Sequence, residues 1–248
     1  MSVTRLPVQW NVGIVIPACN EEATIAASID AARSALHRSL RVGRSWIVIA
    51  CDSCSDRTEV RALEALGDDG EIISCSVNSA GSARRLGVAA LMAHFAEVNR
   101  NRLWIANTDA DTCVCDDWLD QQLRYADRGC AAVAGIVSVE IVSVEQVASC
   151  TAEDLKTLLA DYEIFADGTH PHVHGANLGV RADAYLDAGG WSDKALAEDH
   201  CLWQRLKGLR LPVASCASTV VTTSGRLIGR AAGGFADSLR NRVAALYG

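Results

Sequence analysis

The sequence Asp109-Ala110-Asp111 follows an apolar run, Leu103-Trp104-Ile105-Ala106. Two carboxylates one residue apart, delivered by the end of a buried strand, can hold a divalent ion against a diphosphate. A solvated acidic turn accounts for the same residues by themselves. Three other groups of reactive side chains stand out. His170, His172 and His174 alternate, so on an extended segment their imidazoles share one face, which suits a metal, a substrate or plain solvent. Cys51-Asp52-Ser53-Cys54 has C-x-x-C spacing, but no second pair follows at zinc-ribbon spacing. Arg226, Arg230, Arg240 and Arg242 face a single nearby acid, Asp237. That stretch suits a phosphorylated acceptor, a donor phosphate or peripheral contact with an anionic membrane, and equally a solvated helix face. Thr223-Ser224-Gly225 just before it reads as a flexible loop over the donor.

The elements that must position these residues follow from the apolar pattern. Val12 to Ile16 reads as a first buried strand stopped by Pro17, and Asn20-Glu21-Glu22 opens a helix whose Ile25, Ile29 and Leu36 share a face. Trp46 to Ala50 is a second strand, with the turn Asp52 to Asp56 and a helix through Leu66. Ile72 to Cys75 is a third, and from Gly81 a helix runs to about Val98, ahead of the Leu103 strand. Beyond residue 131 the alternation breaks: Ala131 to Ile136 and Val137 to Val144 read as strands without a helix between them. Glu198 to Lys207 is helical again. Alternating strands and helices imply an α/β fold with a mostly parallel, Rossmann-like sheet flanked by helices. Ligands of such sheets bind beyond the carboxyl ends of the strands, where the polar clusters lie.

Composition narrows the class of partner. The chain has 248 residues and a formal net charge of −7, which disfavours nucleic acid as a partner. Half of the residues are hydrophobic, yet no apolar run approaches the roughly 18 to 20 residues that cross a bilayer. Met1 to Pro7 lacks the charged and apolar regions of a secretory signal, so a cytoplasmic location is expected. Ten cysteines lie mostly in apolar stretches and read as reduced, partly buried thiols. No Pro, Gly or Ser-rich linker interrupts the chain, and a single domain over 1–248 is expected. Within it, about 10–130 would form the nucleotide-binding lobe and about 131–248 an acceptor lobe with a C-terminal helical segment.

Five segments, in order, carry a resemblance: Pro17 to Glu22, Asp52 to Asp56, Gly81 to Arg85, Asp109 to Asp111, and Gly189-Gly190-Trp191 followed by Glu198-Asp199. From about Val12 to Leu206 the chain resembles glycosyltransferase family 2, whose members have the nucleotide-sugar-binding GT-A fold. The resemblance implies that Pro17, Asn20 and Glu22 lie in a loop contacting the nucleotide and that Asp52 holds the base and ribose edge. Cys51 stands where many members have a further acid. It places Gly81 and Arg84 at a Gly-rich helix entry suited to a phosphate, with an exposed helix arginine as the plainer account of Arg84. Asp111 becomes the principal ligand of Mg²⁺ or Mn²⁺, and Asp109 faces either the metal shell or the ribose. Asp199, beside Glu198, becomes the base that takes the acceptor's proton in an inverting reaction. An acid pair at a helix N-terminus is also favoured by the helix dipole, and both accounts can hold together. His174, Gly175, Asn177 and Trp191, with Arg226 and Arg230, would border the sugar and acceptor pocket. The late histidine that often completes the metal shell in relatives has no counterpart after His200.

The activity so implied is metal-dependent transfer of a sugar from a nucleoside-diphosphate donor to a hydroxyl acceptor. A sugar-phosphate nucleotidyltransferase would show a Gly-rich signature with a basic residue after the first strand, where Pro17 to Glu22 is acidic instead. A non-catalytic nucleotide- or partner-binding module on the same fold is the third reading, opposed by the presence of Asp109, Asp111 and Asp199 together.

Overall fold

The computed structural model describes residues 9–140, 163–193 and 197–224. Its centre is a sheet of eight strands among the described residues: β1 (Trp10–Ala18), β2 (Val42–Asp52), β3 (Gly70–Cys75), β4 (Leu103–Asn107), β5 (Thr112–Val114), β6 (Ala132–Glu140), β7 (Leu178–Arg181) and β8 (Val213–Ser224). Their spatial order is β3-β2-β1-β4-β7-β6-β8-β5. The first four run parallel, as the alternating pattern predicts. At β7 the sheet reverses, because β7 pairs antiparallel with both β4 and β6.

Among the described residues six α-helices cover the sheet: α1 (Ile25–Arg38), α2 (Thr58–Leu66), α3 (Ala80–His94), α4 (Trp118–Asp127), α5 (Ala182–Asp187) and α6 (Glu198–Gly208). Both faces of the central strands are buried, which is why β1 and β2 read as nearly continuous apolar runs. Ile14, Ile16, Ile47 and Ile49 join Ile25, Ile29 and Leu36 of α1 and Trp118 and Leu119 of α4 in one core. Val15, Val48 and Ile105 turn the other way, toward Val88 and Leu91 of α3 and Leu202 and Leu206 of α6. Gly13 is required there, because a β-carbon would collide with the side chain of Leu91.

Several element boundaries differ from the pattern. Pro17 does not stop β1, which continues to Ala18. Val15 accepts from the Thr108 N–H, so odd-numbered residues of β1 face β4. The paired stretch of β4 ends opposite Val15, so the missing N–H of Pro17 removes no ladder bond. Asp52 is the last residue of β2 rather than part of a turn. Helix α3 ends at His94, not near Val98. The two strands expected from 131 to 144 are one strand, β6, whose pairing with β8 shifts register between Gly135 and Ile136, where residues 217–219 of β8 are left unpaired with it; residues 141–144 lie outside the described residues. The loop expected at Thr223 and Ser224 is the end of β8, where a threonine-rich run pairs with the short strand β5.

Candidate active site

The end of β4 divides two carboxylates between two anchors. Asp109 is fixed through its backbone, whose carbonyl accepts from the Ser28 hydroxyl at 2.9 Å and from the Thr112 N–H at 3.0 Å. Its side chain turns to Arg84, with Oδ1 2.5 Å from the guanidinium. Asp111 points elsewhere: its Oδ1 accepts from the hydroxyls of Thr223 at 3.2 Å and Thr112 at 3.3 Å. Its carbonyl accepts the Ser224 N–H at 3.0 Å. The β5–β8 pair therefore sets the second acid, a role for Thr112 and Thr223 that no sequence pattern announces.

Arg84, in the first turns of α3, is the hub of the site. It is 3% exposed and makes ion pairs with Asp109 and, at 2.7 Å, with Glu198. Its guanidinium lies 5.2 Å from the centroid of the Trp191 ring, a cation–π contact. Gly175 covers it, and a β-carbon at that position would come within 2.7 Å of the guanidinium. Burial alone disfavours the charged form, yet Asp109 and then Glu198 hold the arginine pKa above its usual value. Arg84 is thus not an exposed helix arginine: its guanidinium is buried and engages two carboxylates, one partly exposed and one largely covered. Gly81, one turn earlier, is where α3 meets α6: a β-carbon would lie 2.7 Å from the Ser192 carbonyl oxygen and 2.9 Å from Cγ of Glu198.

Glu198 and Asp199 occupy the first turn of α6, where the helix dipole favours anions. Asp199 Oδ2 accepts the Gly175 N–H at 3.0 Å and Oδ1 accepts the His200 N–H at 2.7 Å. Trp191 reaches Arg84 because the preceding Gly189 and Gly190 both adopt left-handed backbone, with φ of 77° and 67°. Its own N–H is held by the Tyr185 hydroxyl at 3.1 Å. Trp191 is 1% exposed, so it serves as the floor under Arg84 rather than as a wall of an acceptor pocket. His174 precedes Gly175, and burial pushes its imidazole down to about 4 against the opposing pull of Asp199.

Asn177 requires a correction. It is completely buried; its side-chain NH₂ donates to the carbonyls of Ile136 and Thr219, each at 2.9 Å, and its Oδ1 accepts the Trp118 indole N–H at 2.9 Å. All of those partners are core groups of β6, β8 and α4, so Asn177 ties elements together and does not face a substrate. The three imidazoles do share a face, with ring centroids 6.0 Å and 6.3 Å apart. Rings stacked at that spacing do not converge on one ion, and among the described residues no cluster of three or more His, Cys, Asp or Glu could hold a metal. Arg226 and Arg230 lie outside the described residues.

The expected nucleotide edge is knitted from its own acids. Asp52, 5% exposed, accepts the N–H groups of Val77 at 2.8 Å and Asn78 at 3.0 Å on Oδ1 and of Ser79 at 2.9 Å on Oδ2. It thereby fixes the entry to α3. Asn20, at φ 54°, accepts the N–H of Ser55 at 2.7 Å and of Asp56 at 3.3 Å, while Glu22 accepts that of Arg57 at 3.0 Å. The loops after β1 and β2 are therefore one unit, with Pro17 at its strand end. Cys51 is buried beside Cys54, and burial pushes its thiol up to about 12, as suits a reduced cysteine. Cys51, Cys54 and Cys75 are free thiols.

Asp109 and Asp111 supply hard carboxylate oxygens at the end of β4, the donor type that Mg²⁺ or Mn²⁺ takes, while in this structure their side chains turn to different partners. Acids at the carboxyl ends of β2 and β4, a parallel half-sheet and a reversal at β7 define an α/β protein of the GT-A type. The sequence profile of glycosyl transferase family 2 matches residues 13–187, and the chain belongs to that family.

Solved structures show the same fold. A mannosyltransferase from Pyrobaculum calidifontis, PcManGT, solved in complex with GDP-Man and Mn²⁺, superposes with a TM-score of 0.62 at 14% identity, over 90% of this chain and 59% of its own. TarS 1-349 of S. aureus gives 0.60 at 10% identity, over 87% and 60%. Glucosyl-3-phosphoglycerate synthase from Mycobacterium tuberculosis, in complex with Mn²⁺, UDP-Glc and phosphoglyceric acid, gives 0.55 at 16%, over 95% and 79%. The chain thus spans about three fifths of the length of the first two. No curated protein matches it in sequence. Among the described residues no helix is long and apolar enough to cross a membrane.

Proposed function

We propose that this protein, as a single catalytic unit, transfers a sugar from a nucleoside-diphosphate sugar to a hydroxyl acceptor, with inversion, in the cytoplasm. The observation that carries the reading is the Arg84 bridge, which gathers acids from the end of β4 and the start of α6 at one place. Family membership and the nucleotide-sugar complexes of PcManGT and the M. tuberculosis synthase support the choice of donor class.

In this reading the unit formed by Pro17 to Glu22, Asp52 and Ser53 to Asp56 holds the nucleoside. Asp111, with Asp109, holds Mg²⁺ or Mn²⁺. When bound, the cation offsets the negative charge that develops on the departing diphosphate. Asp199 takes the proton of the acceptor hydroxyl as its oxygen bonds to the anomeric carbon and the bond to the diphosphate breaks. Gly175 N–H and His200 N–H fix the orientation of that carboxylate and leave each oxygen a further lone pair for the proton. His174 stays neutral beside it, so Asp199 is not tied up in an ion pair with an imidazolium.

The experiment is a transfer and hydrolysis assay over a panel of sugar nucleotides with Mn²⁺ and with Mg²⁺, beside thermal shifts with UDP and GDP. Metal-dependent release of one nucleoside diphosphate is expected. No turnover with any donor, and no shift with either nucleotide plus Mn²⁺, would refute the proposal.

A further inference from the structure

Arg84 is one cation serving two carboxylates on different sides of the site. Its terminal nitrogens are divided: one meets Asp109 and the other meets Glu198. The guanidinium has little room to change this arrangement. Trp191 lies against one face, Gly175 leaves no space for a β-carbon, and the side chain is 4% exposed. Asp109 is the more accessible partner, with its side chain 34% exposed against 14% for Glu198. A divalent cation entering from solvent therefore meets Asp109 first, and it competes with Arg84 for that carboxylate.

We infer that Arg84 is a positioning residue, a shared counter-cation through which metal occupancy at Asp109 is felt at the first residue of the helix that carries Asp199. This rests on the metal-and-donor reading above. When the ion draws on Asp109, Glu198 becomes the dominant partner of Arg84, and that ion pair fixes the N-terminal turn of α6. Asp199, the next residue, is then held from both sides, by α6 and by the Gly175 N–H. The linkage must run both ways. Neutralising Glu198 leaves Arg84 to Asp109 alone, and the metal then has to displace a stronger ion pair.

Mn²⁺ affinity in the presence of UDP or GDP, read from the free-Mn²⁺ electron paramagnetic resonance signal, tests this without turnover. Glu198→Gln is expected to weaken Mn²⁺ binding by about five-fold or more, the lower end of typical coupling between sites. Asp199→Asn removes the same charge one residue along, where the carboxylate bonds to Gly175 and His200 rather than to Arg84, and should change the affinity by less than about two-fold on that scale. In an Arg84→Lys background, where one ammonium cannot span both carboxylates in the same way, the effect of Glu198→Gln should fall below about two-fold. Equal effects of the two single variants would mean a general field rather than a shared cation and would overturn the inference, as would an unchanged affinity in Glu198→Gln. Absence of Mn²⁺ binding by the unaltered protein would overturn the metal reading itself and the inference with it.

Discussion

Arg84 on α3 and Glu198 at the start of α6 form a 2.7 Å ion pair across 114 positions of sequence. With Asp109 on the other side of the same guanidinium, that contact joins the end of β4 to the helix carrying Asp199. A buried arginine with two carboxylates is the kind of group whose removal is costly, because the acids are left without a counter-charge.

Arg84→Met is accordingly expected to destabilise the fold by about 3–5 kcal/mol. Urea denaturation followed by circular dichroism measures it. A loss below about 1 kcal/mol, the level of an exposed ion pair, would mean that the carboxylates are solvated in solution and the clamp is absent.

The two acidic clusters should separate kinetically. Asp199→Asn is expected to lower turnover by about 10²–10⁴-fold while leaving donor affinity nearly intact, since it removes the proton acceptor alone. Asp111→Ala should instead weaken metal-dependent nucleotide binding. Titration calorimetry with UDP or GDP plus Mn²⁺, beside steady-state rates, distinguishes them, and the opposite pattern would exchange the two roles.

His174 imposes a pH dependence on stability. Its folded pKa is depressed to about 4 from 6.5, so as the pH falls the unfolded chain takes up the proton first. The stability tied to the neutral imidazole is fully present above about 6.5 and is lost progressively down to about 4, at about 1.4 kcal/mol for each pH step of one. His174→Gln should therefore flatten the stability profile between pH 6.5 and 4 by up to roughly 3 kcal/mol. Parallel slopes for the two proteins across that range would refute the assignment.

Asp52 should act as an organiser of the nucleotide edge. Asp52→Ala leaves the N–H groups of Val77, Asn78 and Ser79 without their acceptor. Accelerated amide exchange at those residues and a stability loss of about 1–3 kcal/mol are expected, with weaker nucleotide binding. Unchanged exchange at Val77 to Ser79 would show that the loop is held by other contacts.

Gly175→Ala tests the cover over Arg84. The added methyl would lie within 2.7 Å of the guanidinium, so the segment bearing the Asp199 anchor must move. A fall in turnover larger than any fall in donor affinity is expected, whereas wild-type rates would show that the segment adapts freely.

The sequence by itself determined the parallel half of the sheet, because strands buried on both faces must be apolar and the helices between them must show one apolar stripe. It also placed the polar clusters at the carboxyl ends of the strands, the edge at which an open α/β sheet binds its ligands. It did not show the reversal at β7 or the three-residue strand β5, both of which depend on long-range pairing with no local signal. Nor did it separate Asp52, Arg84 and Asn177 into their actual surroundings. Each has a polar side chain beside a predicted site, and only the tertiary structure decided what lies within hydrogen-bonding distance. For Asn177 these are core carbonyls and an indole, for Asp52 a loop backbone, and for Arg84 two carboxylates brought from positions 109 and 198. Residue type fixes what a group can bond to, whereas its partners are set by the packing of strands and helices far apart in the chain.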